Sequence, residues 1–418
     1  MFSLCFFIVS LWSLSWGGVI FDGPNKRFGD HGDPWDDSWP WYTDRPIEVA
    51  IFDDYTGNPN ILHSGIEALL DEVLMYFSDR TCLRFKRVDF KQWSEEEVAK
   101  LEARHEKLNY TLVVRSSTLS DAYSRYVGMN KAYTTRNILD QMIGNNVKIG
   151  RSAGRFGIVA HEIGHVLGLY HTHQRSDRDK YIRTRKSTRL SHDAKLKTNN
   201  LLPYDFGSIM HYPPGDDDFK TVDPLRQFVI GNNNRPTQSD LLLLNKLYRC
   251  EEKCASKIVC LHGGFQNPNS CVECVCPHGF SGRLCQSREE GNIDGNPCGA
   301  TVFAAEDRWY TVKGAPIYQG RKNVTHFREC HWHLTAPEGN NVEVVLTKVG
   351  TCRDKTTCED GGTEVRVSEF GFGGYKFCCN AHLPKAHVFR STGRLAVVTL
   401  DVRLGQQFFE LKFRRVLH

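Results

Sequence analysis

HEIGHVLGLYHTHQRSDRD, residues 161–179, places four histidines and three acidic residues within nineteen positions. On a helix, positions four apart share a face, so His161 and His165 point the same way and can hold one metal ion through imidazole nitrogens. Glu162 projects along a neighbouring direction, which sets a carboxylate near the ion without making it a ligand. H-E-x-x-H alone is expected by chance about 0.04 times in a chain of this composition. Gly168 and His171 extend it to H-E-x-x-H-x-x-G-x-x-H and lower that expectation to roughly one in ten thousand. The glycine has a physical job: a helix carried straight on swings residue 171 off the metal-facing side, whereas a left-handed turn at Gly168 brings His171 back to the same ion. His173, two residues further along an extended chain, points the other way and is set aside.

Three neutral imidazoles leave a zinc ion doubly positive and with an open position, where water binds and is acidified to a pKa of about 7. Glu162 is then placed to take that proton as the water attacks a carbonyl carbon, and to deliver it to the leaving amine. A structural zinc site is closed by a fourth tight ligand and needs no carboxylate beside the metal. The segment therefore predicts one zinc ion per chain and hydrolytic chemistry.

The 418 residues, 40% of them hydrophobic, are enough for two to three domains with a sizeable core. A net charge of +4 excludes neither sign of small ligand but points to no nucleic acid and no anionic membrane. The basic stretch from Arg175 to Lys197 reads as a solvated surface loop. MFSLCFFIVSLWSLS, residues 1–15, is apolar for too short a run to span a bilayer, and Ser13 and Ser15 stand at cleavage-site spacing. It reads as a signal peptide cut near Ser15, which makes the mature protein secreted; the missing positive n-region leaves an uncleaved anchor as the alternative. Losing Cys5 from fifteen cysteines leaves fourteen, an even and dense set that suits disulfides in an oxidising compartment. Asn109-Tyr110-Thr111 and Asn323-Val324-Thr325 are glycosylation sequons open to such a route.

Cysteines also divide the chain. Positions 16 to 249 hold one, Cys82, while 250 to 379 hold thirteen. The first part builds a core that needs few staples; the rest consists of smaller, bridged units. Residues 16–37 read as a short pro-segment, and the acidic, turn-rich DHGDPWDDSWPW at 30–41, which overlaps its end, as linker or pro-segment rather than an element. IEVAIFD alternates like a strand, Ile61 to Phe77 recur apolar at helical spacing, and TLVVR at 111–115 is strand-like. GIVAHEIGHVLG predicts a helix ending at Gly168, and SDLLLLNKLY a helix capped by Ser239.

From Cys254 to Cys285 the spacing C-x5-C-x10-C-x2-C-x-C-x8-C, closing on CPHGFSGRLC, resembles an EGF-like module. The resemblance implies Cys254–Cys271, Cys260–Cys274 and Cys276–Cys285; spacing alone leaves 15 connectivities, and a zinc knuckle of Cys271, Cys274 and Cys276 is the competing reading. Beyond it, VEVVLTKV, TEVRVSE, LAVVTLDV and FFELKF alternate as the strands of an all-β sandwich. With Cys298 and CHWHLTAPEG from Cys330, residues 298–418 resemble a CUB domain, implying Cys298–Cys330. Cys352, Cys358, Cys378 and Cys379 form two further bridges in an order the sequence leaves open. CUB domains often bind calcium, which brings Glu359 and Asp360 into view without a full ligand set.

Downstream, SIMHY at 208–212 adds a methionine and a tyrosine in one turn. The extended histidine motif with this turn resembles the metzincin metallopeptidases, where a Met-turn underlies the zinc; Met210 matches that methionine. HEIGHVLGLYHTHQRSDRD with PYDFGSIMHY narrows the resemblance to the astacin family over about 38–250. It implies Tyr212 as a further zinc ligand that swings away to hydrogen-bond the oxyanion, and Cys82–Cys250 as a domain-closing bridge. The order protease, EGF-like module, CUB domain is similar to nematode-type astacins. Ala122 and Ala153 stand where a second family bridge would be, Thr172 where the family has the Glu that anchors the new N-terminus, and Asp30 in RFGD where a pro-segment Asp would block zinc.

The reading is a multidomain chain: an α+β metzincin-type protease domain at 38–250, an EGF-like module at 254–285 and a CUB sandwich at 298–418. Its expected activity is zinc-dependent endopeptidase, with an extended substrate paired against an edge strand near YSRYVG. Extracellular matrix, cuticle or egg-envelope proteins are the substrates the resemblance implies. The alternative is a catalytically weak or inactive scaffold that binds extracellular proteins through its EGF-like and CUB surfaces.

Overall fold

The computed structural model describes residues 38–39, 43–53, 58–59, 62, 65–89, 111–117, 122–124, 129–130, 145–150, 154–184, 200–215, 219–293, 296–319, 328–352, 357–368 and 373–418. The expected signal and pro-segments with Asp30, the sequon asparagines Asn109 and Asn323, and Ala153 lie outside them.

The alternation in IEVAIFD becomes strand β1 (Ile47–Asp53), whose Ile47, Val49 and Ile51 are buried. With β2 (Asn58–Pro59), β3 (Phe85–Arg87), β4 (Thr111–Ser117), β5 (Tyr123–Ser124) and β6 (Asn145–Gly150) it makes a six-stranded sheet of order β2-β1-β4-β6-β5, β3 also pairing with β1. β1, β4 and β6 run parallel, and consecutive Leu112, Val113 and Val114 of β4 are all buried, as a strand covered on both faces requires. β5 runs antiparallel to β6 and is the sheet's edge.

Helix α1 (Ile66–Arg80) lays Ile66, Leu69, Leu70, Val73, Leu74 and Phe77 into the core. Helix α2 (Phe156–Val166) is buried nearly all round, so its glycines and alanine serve close packing rather than helix propensity. It ends in a Schellman turn: Gly168 takes φ +101°, its N–H donates to the His165 carbonyl and the Leu169 N–H to that of Gly164, both at 2.9 Å.

Helix α3 (Gln238–Leu247) begins earlier than the sequence suggests: Thr237, not Ser239, is its cap. Thr237 and Asp240 form a reciprocal capping box, which needs a carboxylate three residues on; Ser239 would meet Leu242 there. Cys82, just past α1, is bonded to Cys250, just past α3.

Residues 254–285 form a small unit held by Cys254–Cys271, Cys260–Cys274 and Cys276–Cys285 around short two-stranded ladders. From Gly291 onward a six-stranded and a four-stranded sheet share one apolar core that includes Trp332, Val344, Val398, Phe409 and Phe413. Cys298 pairs with Cys330, and adjacent Cys378 and Cys379 diverge to Cys358 and Cys352 respectively. Both units dock on the first domain. Asn269 donates to the carbonyls of Ser78 (2.8 Å) and Asp79 (3.0 Å), Gln238 to that of Val275 (2.9 Å), and Arg226 to those of Gly373 (2.8 Å) and Gly374 (2.7 Å). Among the described residues no helix is long and apolar enough to cross a membrane.

Candidate metal centre

His161 and His165 leave α2 on one face, and the turn at Gly168 returns the chain so that His171 meets them. The Nε2 atoms lie 3.3 Å apart for His161 and His171 and 3.0 Å for His165 and His171. Nitrogens about 2.0–2.1 Å from a tetrahedral zinc ion stand roughly 3.3 Å from one another, so the triangle has the size of a zinc face.

Each ring is fixed through its other nitrogen. His161 Nδ1 donates to the Ile209 carbonyl (2.7 Å), His165 Nδ1 to that of Leu169 (2.7 Å), and His171 Nδ1 to Gln174 Oε1 (3.2 Å). All three partners accept, so the proton resides on Nδ1 and three Nε2 lone pairs converge on one point, an arrangement that suits a cation. Burial pushes His161 below the ordinary imidazole range and His165 well below it, with His161 and His171 adding to the effect on His165. Both are neutral at pH 7.

Glu162 is buried beside the group, 6% exposed. Burial first, and then the charge of Glu162, raise the Tyr212 phenol above its ordinary value, so Tyr212 keeps its proton at neutral pH. Its ring stands 4.3 Å from that of His171 and 6.2 Å from that of His161, centre to centre. Met210 lies under the ligands: a Cβ on Gly164, in the turn between His161 and His165, would come within 2.9 Å of its sulfur. The Met210 carbonyl also accepts from the N–H of buried Thr172, next to the third histidine.

His173 does not join the group, although the geometry differs from an extended chain. Thr172–Gln174 is a 3-10 turn, and the His173 ring lies 4.9 Å from that of His171 and 4.5 Å from that of Tyr212. Glu359 pairs with Arg155 (3.5 Å) and Asp360 with Arg403 (3.6 Å), and among the described residues no cluster of three or more His, Cys, Asp or Glu groups includes either. Two other clusters of metal-binding groups there combine His382 with disulfide sulfurs, and in a third, His278, Glu329 and His331, the Arg235 guanidinium sits on the carboxylate.

The sequence reading missed the shell behind the ligands. Asp240 accepts from Ser208 Oγ (2.6 Å) and the Ile209 N–H (2.9 Å), holding from its other side the residue whose carbonyl meets His161. Asp205 accepts from Thr237 Oγ1 (2.7 Å), from Ser239 and from the Gly207 N–H (2.9 Å). Thr237 followed three residues later by Asp240 is the one local signal of this shell.

A partly buried face of three histidines with a carboxylate beside it and a methionine beneath it is the arrangement expected of a metzincin-type metallopeptidase. The profile of the Astacin peptidase family matches residues 55–249. Relatives include three zinc metalloproteinases of Caenorhabditis elegans. The chain is 32% identical to nas-27, over 62% of its own length and 66% of that protein's. It is 32% identical to nas-23, over 65% and 52%, and 31% identical to nas-20, over 72% and 69%. The chain belongs to the astacin family. It spans slightly under two thirds of nas-27 and about half of nas-23.

Proposed function

We propose that the chain is a secreted zinc endopeptidase of extracellular proteins. The observation that carries this reading is the convergence of three imidazole Nε2 atoms beside buried Glu162 and protonated Tyr212. His161, His165 and His171 would hold a zinc ion, whose Lewis acidity would acidify a water and polarise the scissile carbonyl. Glu162 takes the proton from the attacking water and passes it to the leaving amine. The Tyr212 hydroxyl donates a hydrogen bond to the oxyanion that develops. Among the described residues β5 pairs only with β6, and its other side is where an extended substrate would pair.

In this reading residues 38–250 are the peptidase domain, with 254–285 an EGF-like and 298–418 a CUB-like unit that position protein substrates. Seven disulfides support an oxidising, extracellular setting. Signal removal near Ser15, a pro-segment acting through Asp30, and glycans on Asn109 and Asn323 belong to the same proposal, as do matrix, cuticle or egg-envelope substrates.

The test is cleavage of casein and of a quenched peptide library by the secreted chain after pro-segment removal. Chelator-sensitive cleavage that drops about 10²–10⁴-fold in Glu162→Ala is the expected result. No chelator-sensitive cleavage overturns the enzyme reading in favour of a binding scaffold.

A further inference from the structure

The loop Gly231–Thr237 touches the elements that flank the metal centre at three places. Asn232 donates to the Gly207 carbonyl (2.8 Å), immediately before the Met-turn. A Cβ on Gly157, one turn ahead of His161 on α2, would overlap the Asn233 carbonyl, so helix and loop backbones are in direct contact. A Cβ on Gly231 would lie 2.6 Å from Cα of Pro213, the neighbour of Tyr212. The loop then runs into Thr237, whose capping box includes the Asp240 that grips Ser208 and Ile209.

What holds the loop from outside belongs to the C-terminal sandwich. Glu329, on strand Arg328–Thr335, has a side chain only 8% exposed. It accepts from Asn234 Nδ2 at 2.8 Å through one oxygen and pairs with Arg235 and His278 through the other. Burial alone would raise its carboxyl, but Arg235 and His278 outweigh it and keep it well below the usual carboxylate range. A buried carboxylate with this many donors fixes its partners' positions, because moving any of them leaves a charge unsolvated.

We propose that Glu329 is a positioning residue for the metal centre: by clamping Asn234 and Arg235 it sets the loop that buttresses α2 and the Met-turn. This rests on reading His161, His165 and His171 as zinc ligands. The C-terminal sandwich is on this account part of the peptidase, beyond any role in binding substrates.

The test compares the full chain with Glu329→Gln and, in case that variant does not fold, with Asn234→Ala, which removes a single neutral donor. Amide exchange over residues 207–212 and zinc affinity by chelator competition are read first, since neither needs activity. Both are expected to loosen roughly three- to thirtyfold, with kcat falling by a similar factor while KM holds. Arg226→Ala, which frees the sandwich at Gly373 and Gly374 but leaves the loop clamped, serves as control. Unchanged exchange and zinc affinity in both loop variants overturn the proposal, even with a lower melting temperature. So does an equal loosening by Arg226→Ala, which would assign the effect to docking in general. A wild-type chain that binds zinc and cleaves nothing sinks the endopeptidase reading and leaves this test standing.

Discussion

His161 and Asp240 hold opposite ends of one residue: the imidazole Nδ1 donates to the Ile209 carbonyl at 2.7 Å, and the Ile209 N–H donates to the Asp240 carboxylate at 2.9 Å. The orientation of a proposed metal ligand is thus set by the cap of a helix on the far side of the Met-turn. Asp240→Ala leaves the Ser208 hydroxyl and the Ile209 amide buried without this acceptor, at a cost of about 2–3 kcal/mol. Zinc affinity is expected to fall roughly 10- to 100-fold. Denaturant unfolding and a chelator titration measure the two effects; an Asp240→Ala chain with wild-type zinc affinity would refute the link.

Gly164→Ala tests the contact beneath the ligands. Its new methyl would stand 2.9 Å from the Met210 sulfur, and overpacking of this kind costs about 1–3 kcal/mol. Combining it with Met210→Ala should restore part of the loss, because both changes act on the same space. Additive losses in a double-mutant cycle would show that the two residues do not press on each other.

Tyr212→Phe keeps the ring against His171 and removes the proton donor. Since burial and Glu162 keep the phenol protonated, the expected loss is in kcat, roughly 10²-fold, with KM little altered. A drop confined to KM would make Tyr212 a substrate contact instead.

Acid sensitivity has a local source at the junction of the two C-terminal units. His333 donates through Nε2 to the Gly279 carbonyl at 2.9 Å, and burial, the larger influence, holds its pKa down at about 4 against an ordinary 6.5. Between those values the unfolded chain binds more protons than the folded one, so stability falls as pH drops from 6.5 towards 4. His333→Gln, which keeps a donor, should flatten that slope by about one proton, or about 2–3 kcal/mol across the window. Urea unfolding at pH 4.5 and 7 compares the two; identical slopes would count against a neutral buried His333.

The ligand triangle is legible in the sequence because every constraint on it is local: the four-residue helix repeat aligns His161 with His165, and one glycine turns the chain to His171. The strand β1 and the apolar stripe of α1 are legible for the same reason. The Ser239 assignment fails because a cap is chosen by what lies three residues on, and Asp240 favours Thr237. His173 was expected on an extended chain, but the Met210 carbonyl holds the Thr172 amide in a tight turn. Glu329 is illegible altogether: its loop partners Asn234 and Arg235 stand 95 and 94 residues away in sequence, and neither shows a local pattern.

The Cys82–Cys250 bond makes the stretch that carries every proposed ligand a covalent ring, with the two later units hanging from its closure. One backbone cut anywhere from 83 to 249 opens the ring without releasing a fragment. A nicked chain would keep its three histidines on one molecule and run as a single band until reduced, so damage to this domain is visible only after a reductant is added.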